Sequence, residues 1–116
     1  MTEIQNSKKY DLEERTFEFS KRIISLVKST SRTIANIETS KQLVRSAGSV
    51  GANYIEANES LGKKDFLLRI KICRKEAKES RYWLRLLETE DKNLPALTQE
   101  ALELTKIFGA ILEKSK

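Results

Sequence analysis

Between residues 66 and 87, small and apolar side chains recur at alternating steps of four and three: Phe66, Ile70, Cys73, Ala77, Ser80, Leu84 and Leu87. Steps of this kind bring successive side chains onto one seam of an α-helix, whereas a strand needs alternation by two. A seam held for about three heptads is the pattern by which helices pack side by side. Leu68, Ile72, Trp83 and Leu86 form a flanking row, so this helix is apolar over more than one narrow line. Gly62 reads as the turn before a helix from Lys64 to about Glu88, and the stretch KNLP at residues 92–95 ends it.

Three further segments share the helical period. In the first, roughly Asp11 to Arg32, the stripe is Leu12, Thr16, Phe19, Ile23, Leu26 and Thr30, with Val27 beside it. The polar cluster KSTSRT, residues 28–33, weakens this helix and leaves open whether it breaks there or at Asn36. The second segment, from Thr39 or Ser40 to Ser60, carries Leu43, Ala47, Val50, Tyr54 and Ala57 on one stripe. Val44, Gly48, Gly51 with Ala52, and Ile55 make a second. The fourth begins near Pro95, a residue suited to a first helical turn, and buries Leu97, Ala101, Leu104, Phe108 and Ile111. Four amphipathic segments with short polar breaks predict an all-α fold, an antiparallel up-down-up-down four-helix bundle. The 116 residues fit one domain, with 1–9 and 113–116 expected to fray.

Glycine inside a helix costs about 1 kcal/mol relative to alanine. Two of them in the second segment call for an offset, and close approach of another helix supplies one. Gly48, Gly51, Ala52, Asn53 and Trp83 are therefore expected at close-packed or interface positions. Asn53, polar between two apolar stripes, needs a hydrogen bond across helices. Arg45, Glu56, Glu76 and Glu79 are candidates for ion pairs between helices.

The chemistry of the chain is sparse. It has no histidine, which removes the usual general base and the commonest metal ligand. Cys73 is the single cysteine, lies on the apolar seam, and reads as a small buried hydrophobe. SAGSVGA lacks the Lys-Ser/Thr of a phosphate-binding loop and lies within a helical pattern. These features predict no catalytic residues, no metal and no cofactor. No apolar run is long enough to cross a bilayer, and the N-terminus lacks a hydrophobic signal core, so the expected location is cytoplasmic.

Charge is concentrated. The net charge is +5, and residues 63–85 hold nine basic groups against three acidic ones. Lys64, Lys71, Arg74, Lys78, Arg81 and Arg85 lie along one line of the third helix, over about 32 Å at 1.5 Å per residue. Like charges one turn apart repel, so helix stability is not the reason for the row. A partner of opposite sign is, and phosphate backbones fit. The competing explanation is solvation plus pairing with Glu76, Glu79 or acids of neighbouring subunits. With no base-reading motif, binding would be phosphate-directed rather than sequence-specific.

QLVRSAGSVGANYIEANES, residues 42–60, together with DFLLRIKICRKEAKESRYWLRLL, residues 65–87, resembles the four-helix bundle proteins of bacterial 23S ribosomal RNA gene intervening sequences. Leu43, Arg45, Ser46, Ala47, Ser49, Ala52-Asn53 and Glu56-Ala57 match the second-helix signature. Lys75-Glu76-Ala77, Glu79, Tyr82-Trp83-Leu84 and Leu87 match the third. Many members carry a proline and a short acid-glycine ending where this chain has Gly51 and Ala57. In that it is similar to the branch that includes accessory proteins of diversity-generating retroelements. The resemblance implies a homo-pentameric ring, and its retroelement branch implies nucleic-acid binding and a reverse-transcriptase partner; it carries no catalytic residue. The expectation is a non-enzymatic homo-oligomeric accessory or scaffold protein that binds DNA or RNA through the third helix. The alternative is a protein-binding assembly module with no nucleic-acid role.

Overall fold

Each periodic segment forms one helix: α1 Thr2–Lys28, α2 Ile34–Asn58, α3 Lys63–Leu86 and α4 Leu94–Lys114. The computed structural model describes the backbone from Thr2 to Lys116 and side chains from Asp11 onward, and among the described residues there is no strand. The fraying expected of residues 1–9 falls on side chains outside the described residues. At the other end, Ser115 caps α4.

α1 packs on α2 and α4, and α3 packs on the same two helices, so neighbours in sequence are neighbours in space. Paired termini fix the directions. Asn36 at the start of α2 bonds Glu88 just past the end of α3, and Asn58 at the end of α2 reaches Glu13 in the first half of α1. Ser29 after α1 meets Asp91 before α4 at 2.8 Å. Every adjacent pair is therefore antiparallel, which is the up-down-up-down bundle. The α1–α4 contact is the thinnest of the four. A two-pronged ion pair, Arg15 to Glu100 at 2.7 and 2.8 Å, spans it.

The stripes read from the sequence form the core. Phe19, Ile23, Leu43, Val50, Ile70, Leu84, Leu97, Leu104 and Phe108 are essentially inaccessible. Thr16 and Thr30 are buried in the α1 stripe because their hydroxyls bond carbonyls of the preceding turn, Leu12 and Glu13 for one and Leu26 for the other.

Three boundaries differ from expectation. α1 spans Thr2–Lys28 rather than Asp11 to Arg32, and α2 begins at Ile34 rather than Thr39 or Ser40. The break falls at residues 29–33, where Ser29 and Thr30 hydroxyls bond Leu26 O and Thr33 accepts from Asn36 N at 3.1 Å as the N-cap of α2. The early turns of α2 carry no apolar stripe. Ile34 is exposed, and the buried residue there is Asn36. Its amide donates to Ser31 O at 3.0 Å and Glu88 O at 2.9 Å, and accepts from Glu88 N at 3.0 Å. A polar clamp, not a hydrophobic one, anchors the start of α2 to the end of α3.

The two glycines of α2 sit in different surroundings. A methyl at Gly51 would lie 3.1 Å from Thr16 Oγ1 and 3.7 Å from the Thr16 carbonyl carbon, so α1 comes close there. At Gly48 the nearest atom is Ser20 Oγ, at an ordinary 3.8 Å. Gly48→Ala is therefore expected to stabilise the fold by about 0.5–1 kcal/mol through helix propensity. Gly51→Ala should lose that gain, because the Thr16 hydroxyl it meets is held by two carbonyls. Urea denaturation of the two variants compares them directly, and equal gains would contradict the close approach at Gly51.

Candidate nucleic-acid interface

The seam of α3 turns Ile70, Cys73, Ala77, Ser80 and Leu84 inward, which divides its outer surface into two flanks. On the flank beside α4 stands the cation row. Lys64, Lys71, Arg74, Lys78 and Arg85 are exposed and Arg81 is half-buried. Lys71, Arg74, Lys75 and Lys78 line a shallow, open concavity with Leu112 of α4. Arg74 is seated on α4: a methyl at Gly109 would lie 3.6 Å from its Nε. The guanidinium passes over Gly109 at ordinary contact distance, a pairing between distant segments that carries no signal in sequence spacing. Arg81 Nε is buried and meets no acceptor among the described residues.

No carboxylate lies within 4.0 Å of any of the six cations among the described residues. The acids expected to compete for them point elsewhere. Glu76 and Glu79 lie on the flank of α3 beside α2, where Arg45 reaches them at 3.6 and 2.9 Å. The row therefore keeps its charge.

Polar contacts continue along the α2–α3 seam. Ser46 and Ser80 bond each other at 2.9 Å in full burial. Asn53 donates to Ser49 and accepts from Arg69 Nη1 of α3 at 3.0 Å, the cross-helix bond that its position calls for. Cys73 is fully buried, and burial pushes its thiol up to about 12, so it stays protonated and unreactive at neutral pH. Ala52 is exposed. Trp83 is half-buried against the core, and its Nε1 meets no acceptor among the described residues.

The Arg45 cluster carries a pH signature. The neighbouring Glu76 carboxyl, helped by burial, holds Glu79 above the ordinary 4.5, while Arg45 pulls the other way. With its folded value raised, the stability Glu79 contributes is present below its ordinary pKa and is lost as pH rises through the raised value. At higher pH two carboxylates face each other and Arg45 is what holds them. Arg45→Met is expected to cost about 0.5–1 kcal/mol above neutrality, because Arg45 and Glu79 are both open enough to solvent for water to screen the pair. Near pH 4.5, below the raised value of Glu79, the loss should shrink. Urea midpoints at the two pH values measure it, and an equal loss at both would contradict the carboxyl pair.

Among the described residues no group of three or more acids or thiols is placed to hold a metal ion, and no helix is long and apolar enough to cross a membrane. The architecture and its surface define a class: a small antiparallel four-helix bundle with a basic flank on its third helix. Residues 8–113 match the family model described as 23S rRNA-intervening sequence protein, and the chain belongs to that family. A solved structure of a protein of unknown function from the S23 ribosomal protein family of Bacteroides thetaiotaomicron is similar at 30% identity and a TM-score of 0.77. That similarity covers 91% of this chain and 98% of the other. No curated protein matches the chain.

Proposed function

We propose that this chain is a non-enzymatic, homo-oligomeric accessory protein of the cytoplasm that holds nucleic acid by its phosphates along the cation row of α3. The observation that carries the proposal is the row itself, six cations on one flank with no carboxylate within 4.0 Å among the described residues. A charged row kept free of internal partners is poised for phosphate oxygens, and such contacts give affinity without sequence preference.

Assembly is supported by apolar surface that the single chain leaves open. Phe17 and Ile24 of α1 and Val44 and Ile55 of α2 are all 36% exposed or more. They flank the small contact between Ser20 and Gly48. Leu68 and Leu86, on the outer surface of α3, are about half exposed. Two separate apolar faces suit a head-to-tail ring, in which one face of each copy meets the other face of the next. The pentamer and the reverse-transcriptase partner implied by the resemblance to retroelement accessory proteins belong to this proposal.

Fluorescence-anisotropy titration against short DNA and RNA at low salt tests the binding, with light scattering for the assembly. Saturable binding that ignores sequence is expected from an oligomer. Oligomers that bind neither nucleic acid would instead support the assembly-module reading, which the two apolar faces favour.

A further inference from the structure

At the edge of the basic strip of α3 stands one aromatic side chain. Tyr82 follows Lys78 by four residues and precedes Arg85 by three, but it also follows Glu79 by three, so it stands at the outer edge of the cation row where the two flanks meet. Its side chain is 55% exposed. Its ring meets Trp83 at 5.0 Å between centroids and 76° between planes, an edge contact. Trp83 is itself half-buried and packed against the core, so it props Tyr82 in place while leaving much of the ring open. A duplex presents this strip with phosphates and keeps its bases stacked inside, where a tyrosine finds nothing to do. A single strand presents phosphates and unstacked bases together, and an aromatic ring between cations serves both.

We infer that the α3 flank is a track for single-stranded nucleic acid, with Lys71, Lys78 and Arg85 on the phosphates and Tyr82 stacking a base. This rests on the phosphate-binding reading proposed for the same row, and deepens it by naming the kind of strand. Stacking of one base is worth about 5- to 150-fold in affinity, the factor that corresponds to 1–3 kcal/mol per base. The chain has one tryptophan, and it touches Tyr82, so its fluorescence reports events at this spot.

The test titrates the intact protein with oligothymidylate, oligouridylate, an abasic deoxyribose-phosphate strand and a duplex, all of one length, following Trp83 fluorescence and anisotropy. Single strands with bases are expected to bind more tightly than the abasic strand and to shift Trp83 emission. Tyr82→Ala should remove that advantage and leave the abasic strand's affinity unchanged, while Tyr82→Phe keeps both. The two homopolymers show whether the track distinguishes RNA from DNA. If Tyr82→Ala binds oligothymidylate as tightly as the parent, while reversal of the cations abolishes binding, the stacking inference is wrong and the phosphate reading stands. If no strand binds at low salt, both are wrong. If Tyr82→Ala breaks the oligomer and weakens the abasic strand equally, Tyr82 is a subunit contact and the inference is overturned.

Discussion

Arg74→Glu, Lys78→Glu and Arg81→Glu together are expected to abolish oligonucleotide binding while the oligomer persists. Each phosphate contact removed should lower the salt slope by about one, and reversal adds repulsion where attraction stood. The three residues occupy successive turns of the same flank, with Lys78 at the centre of the row. Their structural roles are unequal, which calls for a second variant. Arg74 rests on Gly109 and Arg81 is half-buried, whereas Lys71, Lys78 and Arg85 are exposed and meet no carboxylate within 4.0 Å among the described residues. Reversing the exposed three tests charge with little risk to packing. Binding that survived both triple changes, in anisotropy at low salt, would remove α3 from the account.

The largest expected loss of stability lies away from the basic flank. Asn36→Leu removes three hydrogen bonds, two of them to the Glu88 backbone at the end of α3. Asn36 is 2% exposed, so leucine would place an apolar group against backbone polar groups with no substitute partner. Each stranded group costs about 1–3 kcal/mol, and partial access of water near the exposed Glu88 puts the total at about 2–4 kcal/mol. Urea denaturation should show a lower midpoint with an unchanged slope. A loss below about 0.5 kcal/mol, the scale of an ordinary surface change, would contradict the clamp.

What the sequence makes legible follows the helical period. Seams such as Leu43, Ala47, Val50 and Tyr54 announce themselves because burial recurs at three- and four-residue steps, and all four are buried. Asn36 breaks that logic. A polar residue buried for its hydrogen bonds looks like loop in any apolar pattern, which is why the first turns of α2 were illegible. Gly48 and Gly51 give one signal and meet different neighbours, since spacing along a helix does not say how near the next one lies.

The candidate site divides in the same way. The cation row is visible in spacing alone, and pairing between helices is a natural expectation for Arg45, Glu76 and Glu79. That those acids turn toward α2 and leave the row uncompensated depends on how α3 is rotated between its neighbours. The contact of Arg74 with Gly109 joins residues from different helices, and no local pattern encodes it.

The most direct test of the phosphate-binding account is the dependence of oligonucleotide affinity on salt. Engagement of four to six of the cations predicts that log K falls against log salt with a slope of about −3 to −5, given roughly −0.7 to −0.9 per phosphate. A slope near zero, or no measurable binding at low salt, would contradict the account and direct attention to the exposed apolar faces.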